Sequence, residues 1–158
     1  MVNRERRADE LRELFDMDAG VLCPEAQIPE PGDFFNTYVG ADRVIAVRQR
    51  DGSIKALLNQ CRHRGNELVR QDSENTRNFI CHYHGWGYDI SGKLRNVPHE
   101  DAVFPNGFDK SAWNCVEMAQ VATYKGLVFG TWDVNAPPLL QYLGDAARNF
   151  IACNLSDP

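Results

Sequence analysis

The residues able to do chemistry in this chain lie in two short runs, Cys61-Arg62-His63-Arg64-Gly65 and Cys81-His82-Tyr83-His84-Gly85-Trp86. They read Cys-x-His and Cys-x-x-His, with 17 residues between them. Each run offers one thiolate and one imidazole. A mixed-ligand [2Fe–2S] centre needs two thiolates on one iron and two imidazoles on the other, and few other sites need that alternation. Each iron takes two bridging sulfides and two protein ligands. Cys61 and Cys81 would therefore hold one iron as thiolates, and His63 and His84 the other as neutral rings. Exchanging two anionic ligands for neutral ones removes negative charge and eases reduction. The potential then lies at roughly −150 to +300 mV, against about −400 mV for all-cysteine plant-type clusters. The pattern points to one-electron transfer.

Neighbouring residues suit such a Rieske-type centre. Gly65 and Gly85 each follow a histidine or its neighbour in the loop, where a tight turn brings backbone N–H groups toward sulfur. Trp86 would shield the second loop, and its indole N–H is a hydrogen-bond donor. Taken alone, these are ordinary loop glycines and a packed tryptophan; beside the ligand pattern they read as cluster support, together with Arg64 and Tyr83. Arg62, Arg64 and Arg70 surround the first loop and would attract an acidic redox partner, although arginines near a loop are often plain surface. His82 adjoins Cys81 and is expected to point away from the cluster. His99, in a polar stretch, reads as solvated. Zinc also takes two thiolates and two imidazoles, but its usual spacing pairs cysteine with cysteine and histidine with histidine. A structural zinc module is therefore the remote alternative.

The chain has 158 residues, enough for one domain with a core. A net charge of −5 argues against a nucleic-acid binder. No apolar run reaches the length of a membrane span, and no apolar signal region follows the charged N-terminus. A cytoplasmic protein is the default expectation. Five cysteines at irregular spacing do not form a disulfide framework. Cys115 reads as a small buried hydrophobe, and Cys23 and Cys153 as the same or as partly exposed thiols.

The elements that must position the two runs are short strands. Residues 4–15 suggest an amphipathic helix with Leu11, Leu14 and Phe15 on one face, closing an N-terminal unit over 1–20. Pro24, Pro29, Pro31 and Gly32 suggest an extended loop. Strand patterns follow at 35–39, 44–48, 54–58, 79–80, 86–90, near Leu94, at 116–124 and at 127–132. Turns at Asp51-Gly52, Ser91-Gly92 and Lys125-Gly126 separate several of them. The fold class expected is all-β: an antiparallel β-sandwich over 21–135, with a small two-loop cluster-binding subdomain at about 59–98. Pro137-Pro138 opens a second short helix through about Phe150, inside an exit segment over 136–158.

Leu58-Asn59-Gln60-Cys61-Arg62-His63-Arg64-Gly65 and Cys81-His82-Tyr83-His84-Gly85-Trp86 resemble the Rieske domain of ring-hydroxylating dioxygenase alpha subunits. The likeness extends to Ile28–Phe34, Val97-Pro98, Phe108–Lys110, Tyr124–Phe129 and Ala136–Asp145. Simple Rieske ferredoxins would lack the first forty or so residues and the exit segment. The resemblance implies a great deal about the parent protein, an oxidoreductase of aromatic hydrocarbon catabolism. Electrons would come from NAD(P)H through a reductase, a ferredoxin or both. They would pass to a mononuclear Fe(II) in the catalytic domain of a neighbouring alpha subunit, where O2 is used to dihydroxylate an aromatic ring. A carboxylate of that neighbour would bridge to His84, and a beta subunit is a further partner. The exit segment leans by analogy toward naphthalene- or salicylate-type enzymes. With four histidines in all and two committed to the cluster, His82 and His99 make no second iron site. No catalytic residue is assigned, and the chain ending at Pro158 is expected to be a fragment, a truncated product or an excised domain lacking the catalytic part. The alternative to a dioxygenase relay is a stand-alone ferredoxin-like carrier.

Overall fold

The computed structural model describes residues 19–155. The fold is all-β, with ten strands in three antiparallel sheets and a C-terminal helix. The strands are β1 (Ala19–Pro24), β2 (Asp33–Val39), β3 (Asp42–Arg48), β4 (Ile54–Leu58), β5 (Ser73–Asn75), β6 (Asn78–Ile80), β7 (Gly87–Asp89), β8 (Leu94–Asn96), β9 (Gln120–Tyr124) and β10 (Leu127–Thr131). Sheet orders are β1-β10-β9, β4-β3-β2-β5 and β6-β7-β8. A one-turn helix α1 (Glu100–Val103) and the longer α2 (Leu139–Asn154) complete the described elements, with two 3₁₀ turns.

The run Val44-Ile45-Ala46-Val47 explains the layering. All four side chains are fully buried. A strand sends alternate side chains to opposite faces, so an unbroken apolar run belongs to a strand covered on both sides. Val44 and Ala46 enter one core with Leu22, Ala56, Met118 and Val128. Ile45 and Val47 enter another with Phe34, Leu57, Phe79 and Tyr88. The four-stranded sheet is thus the middle layer, between the β1-β10-β9 sheet and the β6-β7-β8 unit. Each such aliphatic side chain contributes about 1.5–3 kcal/mol on burial. Cys61 and Cys81 belong to the second core, so the ligand loops are rooted in it.

Several expectations change. The helix expected over residues 4–15 lies outside the described residues, but Ala19 and Gly20, assigned to that unit, already pair in β1 with Thr131 and Gly130. The stretch read as a loop near Pro24 is therefore strand up to Pro24 itself. The strand expected over 116–124 begins only at Gln120; Glu117 makes an isolated bridge with Leu57. In the exit segment α2 forms as expected but breaks at Gly144, whose backbone is left-handed and extended (φ 65°, ψ 176°). An apolar groove of about 370 Å³ runs under α2 against Val21 and Phe129.

Candidate metal centre

The two ligand loops share one backbone design. In the first, the Cys61 N–H donates to the Asn66 carbonyl (2.8 Å), and the Gly65 N–H donates to the Cys61 carbonyl (2.9 Å). In the second, the Cys81 N–H donates to the Trp86 carbonyl (2.9 Å), and the Gly85 N–H to the Cys81 carbonyl (2.9 Å). Each loop therefore closes on a glycine four residues after its cysteine. Gly65 and Gly85 sit at φ +73° and +71°, a region that favours glycine. A Cβ on Gly85 would stand 2.9 Å from Pro98 Cγ, so the second loop also needs glycine for space.

This geometry sorts the four side chains. Cys61 and Cys81 are buried in the same core. His63 and His84 are exposed, their rings 4.6 Å apart between centroids. Among the described residues, no three His, Cys, Asp or Glu side chains gather as a single metal ion would need. Two separate pairs, one of sulfur and one of nitrogen, suit a dinuclear cluster with one pair per iron. They do not suit a tetrahedral zinc, which needs all four donors at one point.

The surroundings act on each ligand. Burial pushes the Cys61 thiol above its ordinary value, Tyr88 lowers it and Cys81 adds to the rise. Partial desolvation, then the charges of His84 and Arg64, hold His63 below its ordinary value. That favours the neutral ring a metal ligand must present. His63 stacks on Trp86 at 4.8 Å and 9°. Trp86 is buried and meets Phe108 and Trp113 edge-on at 5.7 and 5.6 Å. On the other flank, Tyr83 lies 3.9 Å from the His84 ring and is 58% exposed. The Arg64 guanidinium lies over the Tyr83 ring at 5.8 Å and so joins the two loops. His82 and His99 are exposed and enter none of these ring contacts. Arg62 and Arg70 are exposed as well.

Two residues went unnoticed in the sequence. The Tyr88 hydroxyl lies 3.4 Å from Cys61 Sγ and accepts the Arg62 N–H at 3.1 Å. Against a metal-bound thiolate that hydroxyl must be the donor, since the sulfur has no proton left to give. Asn66 Nδ2 approaches Cys81 Sγ at 3.8 Å. Neither carried a signal, because a tyrosine in a strand and an asparagine after a glycine are common.

The family model for the Rieske [2Fe-2S] domain matches residues 18–125. The chain belongs to the Rieske [2Fe-2S] domain family. Over 143 residues it is 53% identical to the biphenyl dioxygenase alpha subunit of Metapseudomonas furukawaii, covering 87% of this chain and 31% of that protein. It is 50% identical to the chlorobenzene dioxygenase alpha subunit of Cupriavidus sp. strain PS12, with 87% and 30% covered. The crystal structure of naphthalene 1,2-dioxygenase from Rhodococcus sp. bound to indole superposes with a TM-score of 0.84 at 38% identity, over 94% of this chain and 34% of that one. The chain spans about a third of the length of these relatives. No described helix is long and apolar enough to cross a membrane.

Proposed function

We propose that this chain passes single electrons through a [2Fe–2S] cluster held by Cys61, His63, Cys81 and His84, as the relay domain of an aromatic-ring-hydroxylating dioxygenase alpha subunit. The observation that carries the reading is the sorting of the ligands on two matching loops, thiols inside and imidazoles at the surface. When bound, the cluster takes up one electron and gives it back. The chain supplies the setting: Tyr88 donates to the Cys61 sulfur, Trp86 keeps water from one flank of His63, and the exposed rings give a partner a short approach. Arg64, Gly65, Tyr83, Gly85 and Trp86 support the site, within a subdomain of about residues 59–98.

From the resemblance to ring-hydroxylating dioxygenase alpha subunits, we extend the proposal to a cytoplasmic system. Electrons from NAD(P)H arrive through a reductase, a ferredoxin or both, and leave toward a mononuclear Fe(II) in a neighbouring alpha subunit's catalytic domain. There O2 serves to dihydroxylate an aromatic ring, and a beta subunit completes the assembly. Residues 136–158 lead toward that catalytic part. The identity to alpha subunits favours this over a stand-alone carrier.

The test is metal and labile-sulfide analysis of the purified protein, with EPR of its reduced form and a redox titration. Two irons and two sulfides per chain are expected, with a mixed-ligand signal and a potential inside the roughly −150 to +300 mV window. A colourless protein holding zinc and no sulfide would overturn it.

A further inference from the structure

We propose that Asn59 is a positioning residue for the first ligand pair: its buried side chain replaces the strand ladder that the first ligand loop lacks, and so sets where Cys61 and His63 stand against Cys81 and His84. The inference rests on the cluster reading above.

The two loops are closed in different ways. The second, residues 81–86, springs from paired strands, with Ile80 opposite Gly87 and Phe79 opposite Tyr88. The first, residues 60–67, leaves β4 after Leu58, and the returning residues 68–72 form no strand. Asn59 fills that gap. Its Oδ1 accepts from the Leu68 N–H (2.9 Å) and the Val69 N–H (3.0 Å). Its Nδ2 donates to the Val69 carbonyl (2.7 Å) and to Asn36 Oδ1 (3.3 Å). A carboxamide has two donors and two acceptor positions, so every hydrogen-bonding position is used.

The clamp is anchored in the middle sheet. The Asn59 backbone N–H donates to the Arg43 carbonyl of β3 (2.8 Å). Asn36 of β2 continues the support, its N–H donating to the Asp72 carbonyl (2.7 Å) and its Nδ2 to the Gln71 carbonyl (3.4 Å). Asn59 is 4% exposed, and Leu68 and Val69 are buried with it. Without the carboxamide, two N–H groups and one carbonyl would be buried without partners, which buried polar groups seldom tolerate. The loop's return would come loose, five residues after His63, and Asn59 itself stands two residues before Cys61. The hydrogen bonds of the Asn59 and Asn36 side chains do not reach β6 or β7, so the second loop keeps its own ladder although Leu68 and Val69 share a core with Phe79 and Tyr88; Val128 lies in the other core.

The experiment compares Asn59→Ala, Asn59→Leu and Asn36→Ala in the full chain with the wild type. Val128→Ala serves as a control that weakens the protein from the other core. Hydrogen exchange is followed at Leu68 and Val69 in the apo protein. Iron, labile sulfide, EPR signal and reduction potential are measured after loading. In the Asn59 variants these two amides should exchange faster, on the order of tenfold or more, while β2–β3 ladder amides stay protected. Cluster content should fall well below the wild type, and the residual EPR signal should shift. Asn36→Ala, which leaves the Leu68 and Val69 contacts in place, should give a smaller change of the same kind. Val128→Ala should lower the unfolding midpoint and keep the wild-type signal and potential. Full loading with unchanged signal and potential in the Asn59 variants would overturn the proposal, as would an equal cluster loss in Val128→Ala at matched stability. A wild type that itself binds no cluster would instead remove the cluster reading, and this inference with it.

Discussion

Cys61 and Tyr88 show how one hydroxyl can set an electrochemical property. Hydrogen bonds to cluster sulfurs stabilise the reduced, more negative state and raise the potential. Tyr88 is fully buried and reaches Cys61 Sγ at 3.4 Å, while its oxygen is held by the Arg62 N–H. Tyr88→Phe keeps the ring and removes the donor. A bond worth about 0.5–1.5 kcal/mol more in the reduced state corresponds to a drop of roughly 20–65 mV for one electron. A redox titration of the loaded variant checks this, and an unchanged potential would refute the role. His84→Cys should lower the potential further, because it restores an anionic ligand to the outer iron. A fully loaded variant at the wild-type potential would count against His84 as a ligand. The proposed ligands could be picked out because the chemistry needs four residues of two types at fixed spacing. Tyr88 and Asn59 were not, because each acts through a contact made only after distant segments meet.

At the scale of elements, the loops depend on backbone geometry that few residues supply. Gly85→Ala must adopt φ near +71° and push a methyl to 2.9 Å from the Pro98 ring. Gly107→Ala meets a comparable backbone cost at φ +92° but open space. The expected loss is about 1–2 kcal/mol for Gly107→Ala and more for Gly85→Ala, which alone should lose iron; urea midpoints and metal analysis separate them. The β7–β8 turn adds a pH dependence. Burial raises the Asp89 carboxyl pKa, but bonds from Ser91, Arg95 and the Lys93 N–H outweigh it and hold the value below the ordinary carboxylate range. A depressed folded pKa contributes stability above the unfolded value of about 3.9 and loses it as pH falls through the folded one. Asp89→Asn should therefore flatten the loss of stability below about pH 4, read from urea midpoints across an acid series. Strands with apolar alternation or a clear turn, such as β3, β4 and β10, could be read from the sequence. Ser73–Asn75 could not: all three side chains are exposed, and the strand exists only because Asp33–Phe35 lie beside it. Gly20 and Pro24 likewise hid β1, whose ladder comes from β10 at the far end of the chain.

Across the described residues, three layers share one middle sheet, so damage on either side of that sheet should be separable. Leu57 is fully buried in the core that also holds Cys61 and Cys81. Leu57→Ala should cost about 2–5 kcal/mol and release iron at lower urea than the wild type, monitored by visible absorbance alongside circular dichroism. A fold lost at lower urea while the colour still disappears at the wild-type midpoint would argue against that coupling. The all-β class was readable from recurrent turns, whereas the double covering of β3 emerged only when alternate residues were followed into different cores. The placement of the ligands also has a consequence for insulation. With Cys61 and Cys81 wrapped in protein and His63 and His84 at the surface, a cluster held as proposed would be reached from the histidine side. A docked partner would act as both the electron's destination and the cluster's seal. Left bare, the same side offers the electron to any small oxidant in solution, so the reduced domain should reoxidise in air faster alone than when a cognate surface covers His63 and His84.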